Sequence, residues 1–179
     1  MKATDFILML SPPTLQVEQE TGLSHKAMIA IAAVETAWGD RVSRDVKTGE
    51  TSNNYCNIKD SETDDWHGPF VDIVTTEFLT RQSVLNLRRH GVKINLISDY
   101  IYPGYTARVH LISRFRKYLS PTESFQDFAH VVQSIPRYGI AWSVRTDPES
   151  FVKALHAAGY ATDPNYSNTL ISIIRSHFQ

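Results

Sequence analysis

The sequence marks the boundaries of its helices with capping residues, prolines and glycines, and this punctuation favours a mainly helical fold. A serine or aspartate followed by proline precedes four apolar segments, at Ser11-Pro12, Ser120-Pro121, Asp147-Pro148 and Asp163-Pro164. The side chain of such a residue accepts hydrogen bonds from the free amides of the first helical turn. Proline is accepted in this turn because its missing amide hydrogen would have had no partner within the helix. Gly22, Gly39 and Gly159 predict where helices end. We therefore expect helices to begin after Ser11, Ser24, Ser120 (with Glu123 completing a capping box), Asp147 and Asp163.

The middle of the chain has a different pattern. Residues 41–81 are rich in Asn, Asp, Gly and Thr, and the β-branched segment 70–78 predicts a strand. A second strand is expected at 108–118, and the polar, basic segment 82–105 between the two strands has room for a short helix. The chain thus predicts one α+β domain over residues 1–179. Its helical body carries a small β-lobe at about 41–118, which includes an insertion at about 81–107.

Charge and hydropathy exclude several classes of partner. The net charge is −1, whereas a nucleic-acid binder usually carries a basic excess, so we expect no nucleic-acid partner and interpret Arg88-Arg89-His90 as a solvated face. The longest apolar run, 27–34, is too short to span a membrane. The apolar part of 1–10 is also too short for a secretory signal, so we expect no signal peptide and leave the route of export open.

The sequence offers no metal or redox chemistry. Its seven histidines are scattered without a His-Glu-x-x-His motif, and Cys56 is the single cysteine. We therefore expect neither a metal nor a cofactor. Cys56 is expected to be a small buried hydrophobe, because nothing near it in the sequence would lower the pKa of a nucleophilic thiol.

One carboxylate stands out, in the segment Ala32-Ala33-Val34-Glu35-Thr36-Ala37-Trp38-Gly39. Glu35 lies near the end of a strongly apolar helix and beside Trp38. Burial disfavours the charged form of a carboxyl and raises its pKa, which suits an acid that must hold a proton near neutral pH. A glutamate in an apolar pocket against a tryptophan is a known type of glycosidase acid. The alternative is an ordinary glutamate on a helix surface.

An ordered series of motifs resembles glycoside hydrolase family 73, the endo-β-N-acetylglucosaminidases that include flagellar rod-cap hydrolases and staphylococcal-type autolysins. Glu-Thr-Ala-Trp-Gly at 35–39 resembles the glutamate signature of this family. The further motifs are Asn-Asn-Tyr-Cys-Asn-Ile-Lys at 53–59, Trp-His-Gly at 66–68, Thr76-Glu77, the segment 115–127 from Phe-Arg-Lys-Tyr to Asp127, Pro-Arg-Tyr at 136–138, and 158–166. Each is weak alone, but their order over residues 5–175 makes the resemblance specific.

The resemblance implies a lysozyme-like fold and a second carboxylate at Glu77, which would act as nucleophile or as base for water. Two alternatives stay open: Glu77 as a plain strand residue, and a mechanism in which the substrate's own acetamido group does the nucleophilic work. Asp60, Glu62, Asp64 and Asp65 could also serve instead, although we interpret them as turn residues. Where the family has glycine this chain has Asn57, which also tolerates positive φ, so the turn is expected to survive.

Three aromatic residues complete the expected site. The resemblance makes Tyr138 a catalytic residue that orients the acetamido group or water, whereas a core tyrosine is the alternative. Trp66 and Trp142 are expected to stack on sugar rings, with plain packing as the alternative for each. Asn57 is also expected to bind substrate.

The resemblance implies a peptidoglycan hydrolase that cuts the β-1,4 bond after N-acetylglucosamine, and we expect it to act as a monomer in the periplasm or cell wall. A muramidase of the same fold, and a non-catalytic glycan-binding component of a cell-wall-spanning or phage machine, are the alternatives. The segment 77–115 is longer than the family leads us to expect. We hypothesise that the insertion 81–107 is a flap that contacts substrate or a partner, and the alternative is a solvated insertion without a role.

Overall fold

The computed structural model describes residues 1–60, 66–96 and 106–178. The chain divides into two compact units, one formed by Met1–Val42, Asn53–Ile58 and Tyr118–Gln179, and the other by Ser43–Ser52 and Lys59–Lys117. The first is a helical unit, which contains α1 (Ala3–Thr21), α2 (His25–Thr36), α4 (Pro121–Ser134), a 3-10 turn (Pro136–Tyr138), α5 (Gly139–Ser143), α6 (Pro148–Ala157) and α7 (Tyr166–His177). The second is a sheet unit, which contains β1 (Phe70–Thr80), α3 (Arg81–Arg89), β2 (Ile94–Leu96) and β3 (Thr106–Arg116).

The helical unit is built around α2. Every residue from Ala27 to Ala33 is buried, so this helix is apolar on all sides and lies inside the core. The other helices supply large side chains that are fully buried around it, among them Phe6, Leu10, Phe125, Phe128, Phe151, Leu155 and Leu170. Because α2 is enclosed by this layer, the residues at its carboxyl end are held in a fixed place.

The start of α1 differs from the expectation. The Ser11-Pro12 pair was expected to open the helix, and this is wrong, because α1 begins at Ala3 and contains Pro12 and Pro13 in its interior. Phe6 and Leu10 are fully buried, so tertiary packing fixes the helical turns on the amino-terminal side of the prolines. Pro12 has no amide hydrogen, so the carbonyl four residues earlier in the helix lacks its usual hydrogen bond. Because Pro12 is exposed, water can reach this carbonyl instead.

The remaining helix signals are confirmed in most details. Asp147 Oδ1 accepts from the Ser150 amide at 2.8 Å, and Ser120 Oγ accepts from the Glu123 amide at 3.3 Å. The return bond of the expected capping box goes one residue further, because Glu123 Oε2 accepts from the amide of Leu119 at 2.9 Å.

Two helix boundaries differ from the expectation. α2 ends at Thr36 and not at Gly39. α7 begins at Tyr166 and not after Asp163, because Asp163 forms a separate turn in which its Oδ1 accepts from the Asn165 amide at 2.8 Å.

The sheet unit is a three-stranded antiparallel sheet in the order β1-β3-β2. β1 pairs with β3 over its whole length, from Phe70 opposite Arg116 to Thr80 opposite Thr106. The second strand therefore lies two residues earlier than expected. Its expected last residue, Tyr118, belongs to the helical unit, where its hydroxyl donates to Asp127 at 2.6 Å.

The expected insertion 81–107 begins with α3, as the sequence suggested, and also contributes β2. Thr80 caps α3 by accepting from the Ser83 amide at 3.2 Å. Val84 of this helix packs with Ala107 and Val109 of β3 in a small apolar cluster. Residues 97–105 of the insertion, and Glu62, Asp64 and Asp65 of the acidic segment, lie outside the described residues.

Replacing both interior prolines of α1, as Pro12→Ala/Pro13→Ala, is expected to stabilise the protein. Proline in a helix interior costs about 3 kcal/mol relative to alanine, and part of this is offset because alanine makes the unfolded chain more flexible. A net gain of about 1–2 kcal/mol would raise Tm by about 2–8 °C for a chain of this size. Thermal unfolding monitored by circular dichroism measures it.

Pro121→Ala/Pro148→Ala is the matched control, because both of these prolines occupy the first turn of a helix, where proline is well accommodated. The control is expected to show no gain. An unchanged or lower Tm for the α1 variant would contradict an α1 that is continuous through both prolines.

Candidate active site

The backbone turns sharply directly after Glu35. Ala37, Trp38 and Gly39 have positive φ values of 49°, 58° and 83°. The left-handed conformation costs about 1–2 kcal/mol for a residue other than glycine, so this turn is strained at two positions. Thr36 holds it, since its buried hydroxyl donates to the Ala32 carbonyl at 2.6 Å and accepts from the Gly39 amide at 2.9 Å. Strain of this kind is concentrated at functional sites.

Two side chains hold the Glu35 carboxylate. The Tyr166 hydroxyl donates to Glu35 Oε1 at 2.9 Å, and Asn57 Nδ2 lies 3.2 Å from Glu35 Oε2. The same Asn57 amide also donates to the backbone carbonyl of Glu35 at 2.8 Å. Both carboxylate oxygens therefore have a donor, and the orientation of the side chain is fixed from two directions.

The pKa of Glu35 is raised above its ordinary value. Burial is the largest cause, because it disfavours the charged form, while the hydrogen bonds from Tyr166 and then Asn57 act in the opposite direction. The net direction is upward. Glu35 thus keeps its proton to higher pH than an ordinary glutamate. Once the proton has left, the two donors stabilise the carboxylate.

Asn57 reaches Glu35 because the loop around it is fixed at several points. Its φ is 51°, so the positive φ expected at this position is observed. The Asn54 side chain accepts from the Ile58 amide at 3.0 Å and donates to the Ile58 carbonyl at 2.8 Å, which closes the loop on both sides of Asn57. The Tyr55 amide donates to Ser124 Oγ at 3.1 Å and so attaches the loop to α4.

A series of tyrosine rings lies next to this carboxylate. The ring centroids of Tyr166 and Tyr160 are 6.1 Å apart, and those of Tyr160 and Tyr138 are 6.2 Å apart. Tyr160 donates to the Cys56 carbonyl at 3.1 Å. Burial raises the pKa of the Tyr166 hydroxyl, which therefore stays protonated and acts as a donor. The sequence analysis did not place Tyr160 or Tyr166 in the site, and only the motif at 158–166 pointed to this region.

Tyr138 is buried, with 3% of its surface exposed. Its hydroxyl accepts from Arg137 Nη2 at 2.6 Å, and the Arg137 guanidinium lies 4.6 Å from its ring centroid. Its ring is a neighbour of the Tyr160 ring, which in turn is a neighbour of the ring of Tyr166, the donor to Glu35.

The tryptophans are held by packing. Trp38 contacts the rings of Phe6 and His177, with centroids at 5.7 and 5.4 Å. The Arg145 guanidinium lies 4.6 Å from the Trp142 ring centroid in the helical unit. In the sheet unit, Trp66 donates to the Pro69 carbonyl at 3.2 Å, and its ring lies 4.9 Å from the Arg116 guanidinium. A side chain at Gly68 would collide with the Trp66 ring, which explains the glycine of the Trp-His-Gly motif.

Glu77 lies in the sheet unit, in the middle of β1. It is half-buried, and Lys59 Nζ lies 2.8 Å from its Oε1. Lys59 is held in place in turn, because its backbone pairs with Phe115 and its ammonium group lies 5.8 Å from the Phe115 ring. The structure thus unites Glu35 with Asn57, and gives Glu77 a cationic partner of its own.

Other chemistries find little support. No cluster of three or more histidine, cysteine, aspartate or glutamate side chains suited to a metal occurs in the described part of the chain. Cys56 is buried in the core, and burial raises the pKa of its thiol, so it is protonated and enclosed. Among the helices that the structure describes, none is both long and apolar enough to cross a bilayer.

The family comparison covers almost the whole chain. The glucosaminidase family, described as mannosyl-glycoprotein endo-beta-N-acetylglucosaminidase, matches residues 11–179. A peptidoglycan hydrolase FlgJ of Salmonella typhimurium is 32% identical over 172 residues, which are 96% of this chain and 45% of that protein. The autolysin of Enterococcus faecalis is 27% identical over 97% of this chain and 20% of its own length. The chain thus spans less than half the length of these relatives.

Solved structures of the same kind share the fold. The truncated glycoside hydrolase domain of Salmonella typhimurium FlgJ superposes with a TM-score of 0.69 at 30% identity and covers 98% of this chain and 97% of its own. A peptidoglycan hydrolase mutant from Sphingomonas sp. A1 gives a TM-score of 0.70 at 30% identity, with 97% and 93% covered. These are lysozyme-like domains, so the expected lysozyme-like α+β fold is confirmed. The chain belongs to the glucosaminidase family, glycoside hydrolase family 73.

Proposed function

We propose that this chain hydrolyses peptidoglycan at the β-1,4 bond that follows N-acetylglucosamine, with Glu35 as the general acid. The observation that carries the proposal is the partly buried Glu35 carboxyl, whose pKa is raised and whose two oxygens each face a donor. Membership of the glucosaminidase family supports the reaction class, and the relatives named as peptidoglycan hydrolases support the substrate. Such a substrate lies in the periplasm or cell wall, where we place the activity of a monomer.

Glu35 would act first as an acid and then as a stabilised carboxylate. In its protonated form it gives its proton to the glycosidic oxygen as the bond to the leaving sugar breaks. The carboxylate that remains is stabilised by Tyr166 and Asn57, because both donors are already in place when the negative charge forms. Asn57 is therefore assigned to positioning Glu35, in addition to the expected contact with substrate.

Glu77 is the second carboxylate of the proposal. A lysine at 2.8 Å binds the anionic form of a carboxyl, so Glu77 suits the roles that need negative charge: nucleophile, base for water, or electrostatic stabiliser of a positively charged transition state. With a substrate acetamido group as nucleophile, only the last of these roles applies. Tyr138 would orient the acetamido group or water, and Trp66 and Trp142 would stack on sugar rings.

Glu35→Gln is expected to lower the rate of peptidoglycan hydrolysis at least about a hundredfold, because the amide cannot protonate the leaving oxygen. Dye release from labelled cell walls measures the rate, and Glu20→Gln on exposed α1 is the matched control. Near-normal turnover by a folded Glu35→Gln protein would contradict the assignment. Mass spectrometry of the reducing ends identifies the bond, since N-acetylmuramic acid ends would show a muramidase.

The same variant supplies its own folding control. A carboxyl whose pKa is raised on folding stabilises the native state fully below its unfolded pKa, and that contribution is lost as the pH rises through the folded pKa. Glutamine does not ionise, so the Glu35→Gln protein does not lose stability as the pH rises. Its Tm is therefore expected to equal or exceed that of wild type at neutral pH. The relative advantage should shrink in acid.

Tyr166→Phe is expected to move the alkaline limb of the pH profile of kcat/KM to higher pH. The Tyr166 hydrogen bond is the larger of the two that lower the pKa of Glu35, so removing it raises this pKa further and the acid stays protonated at higher pH. Tyr160→Phe is the matched control, because its hydroxyl bonds the Cys56 carbonyl and not Glu35. An alkaline limb that does not move, or that moves equally in both variants, would count against Tyr166 as a positioning residue.

Glu77→Gln is expected to lower kcat about as much as Glu35→Gln if Glu77 is the base or nucleophile, and clearly less if the acetamido group attacks. Lys59→Gln is the matched control, since it breaks the same ion pair and leaves the carboxylate. Proton NMR of the first product gives the anomer, which separates retention from inversion. Equal activity of Glu77→Gln and wild type would remove Glu77 from the site.

A further inference from the structure

Positive charge is concentrated in the segment 78–116 of the sheet unit. The chain as a whole has a net charge of −1. From Phe78 to Arg116, however, a single acidic residue, Asp99, stands against Arg81, Arg88, Arg89, Lys93, Arg108, Arg114 and Arg116. A surface of this kind attracts anions, and the sheet shows which of its cations share one face.

Strand alternation divides these cations between two faces. We call the face to which Ala107 and Val109 of β3 point the inner face. Val84 of α3 packs on these two residues, so α3, which carries Arg88 and Arg89, lies on the inner face. Ile94 packs in the same apolar cluster. Its neighbours Lys93 and Asn95 therefore point to the outer face, as do His110 and Ile112 on β3. The basic residues of the expected flap thus belong to two different surfaces.

The outer face is partly apolar and exposed. Val74, Phe78 and Ile112 keep 54%, 67% and 52% of their surface exposed, which is unusual for neighbouring large apolar side chains. At one end of this face the charges are already paired, because Arg114 lies 3.7 Å from Asp72 and 4.1 Å from the Phe70 ring. Next to this pair along the face is a pocket of about 230 Å³, because Val74 and Ile112 are the next pair on this side of the two strands. The pocket is lined by Val74, Lys93, Asn95, His110, Leu111 and Ile112.

The polar groups of this pocket are available to a ligand. Over residues 1–60, 66–96 and 106–178, the structure gives no hydrogen bond or ion pair to the side chains of Lys93, Asn95 or His110. These three side chains can donate to an anion, while Val74 and Ile112 provide apolar walls next to them. A ligand that fits has a carboxylate attached to a small aliphatic group.

We propose that this pocket, which we call the outer-face pocket, binds the peptide stems of peptidoglycan. The stems carry free carboxylates and the methyl groups of alanine residues, which match the donors Lys93, Asn95 and His110 and the apolar walls. The inference rests on the proposed function for the identity of the substrate. Its consequence is that the sheet unit recognises the peptide part of the polymer, in addition to the glycan that is cut.

The test measures binding of the synthetic tetrapeptide L-alanyl-γ-D-glutamyl-L-lysyl-D-alanine to the full chain by NMR titration at low salt. Lys93→Gln is expected to weaken binding about tenfold, the usual effect of losing one charge-assisted hydrogen bond. Ile112→Ser should weaken binding as well. Arg88→Gln/Arg89→Gln is the matched control, because it removes two cations from the other face and should leave the affinity within about twofold. The same peptide with both carboxylates amidated should bind more weakly to wild type.

Three results would overturn the proposal: no binding of the tetrapeptide to wild type at millimolar concentration, equal binding of its amidated form, or equal loss of affinity in Lys93→Gln and in the Arg88/Arg89 control. The last result would indicate unspecific electrostatic attraction. Hydrolysis of a stem-free chito-oligosaccharide by wild type and Lys93→Gln tests the enzyme separately. If wild type does not cleave any glycan, the proposed function fails, and the peptide titration still decides whether the pocket binds.

Discussion

The partial burial of one carboxyl group at the end of α2 is the constraint on which the helical unit depends. A carboxyl that has lost part of its water needs hydrogen-bond donors, and Glu35 receives them from Tyr166 at 2.9 Å and Asn57 at 3.2 Å. These donors come from parts of the chain that are distant in sequence. The site therefore exists only when α2, the loop 53–58 and α7 are all in place, so the acid is correctly held only in the folded protein.

The rest of the helical core serves to keep these three parts in register. α2 is enclosed by apolar residues, so its end cannot shift without breaking close packing. The loop 53–58 is attached to α4 through Ser124, and Tyr160 joins it to the segment before α7 by donating to the Cys56 carbonyl. Each of these hydrogen bonds involves a buried group. Moving one donor by the diameter of a water molecule would break its hydrogen bond and leave a polar atom without a partner.

Sequence alone predicted the parts of this structure that depend on local chemistry. The caps at Ser120 and Asp147 and the central apolar helix follow from single residues and their neighbours, and the family resemblance added the turn at Asn57. What it missed depends on tertiary contacts. α1 continues through Pro12 and Pro13 because Phe6 and Leu10 are buried beyond them, and Tyr166 became a partner of Glu35 through a contact across 131 positions. The family motifs indicated which residues matter, but the partner of each required the fold.

The two units handle charge in opposite ways, and this difference has a physical reason. The helical unit partly removes Glu35 from water, and this burial raises the pKa of its carboxyl. The sheet unit pairs Glu77 with Lys59 on one face and exposes Lys93 beside apolar residues on the other. In the described part of the sheet unit, α3 packs on the inner face, while Val74, Phe78 and Ile112 of the outer face stay exposed. The alternation that gives β1 and β3 an inner face for Val109 thereby also supplies an outer surface, which can acquire a binding role without disturbing Glu35.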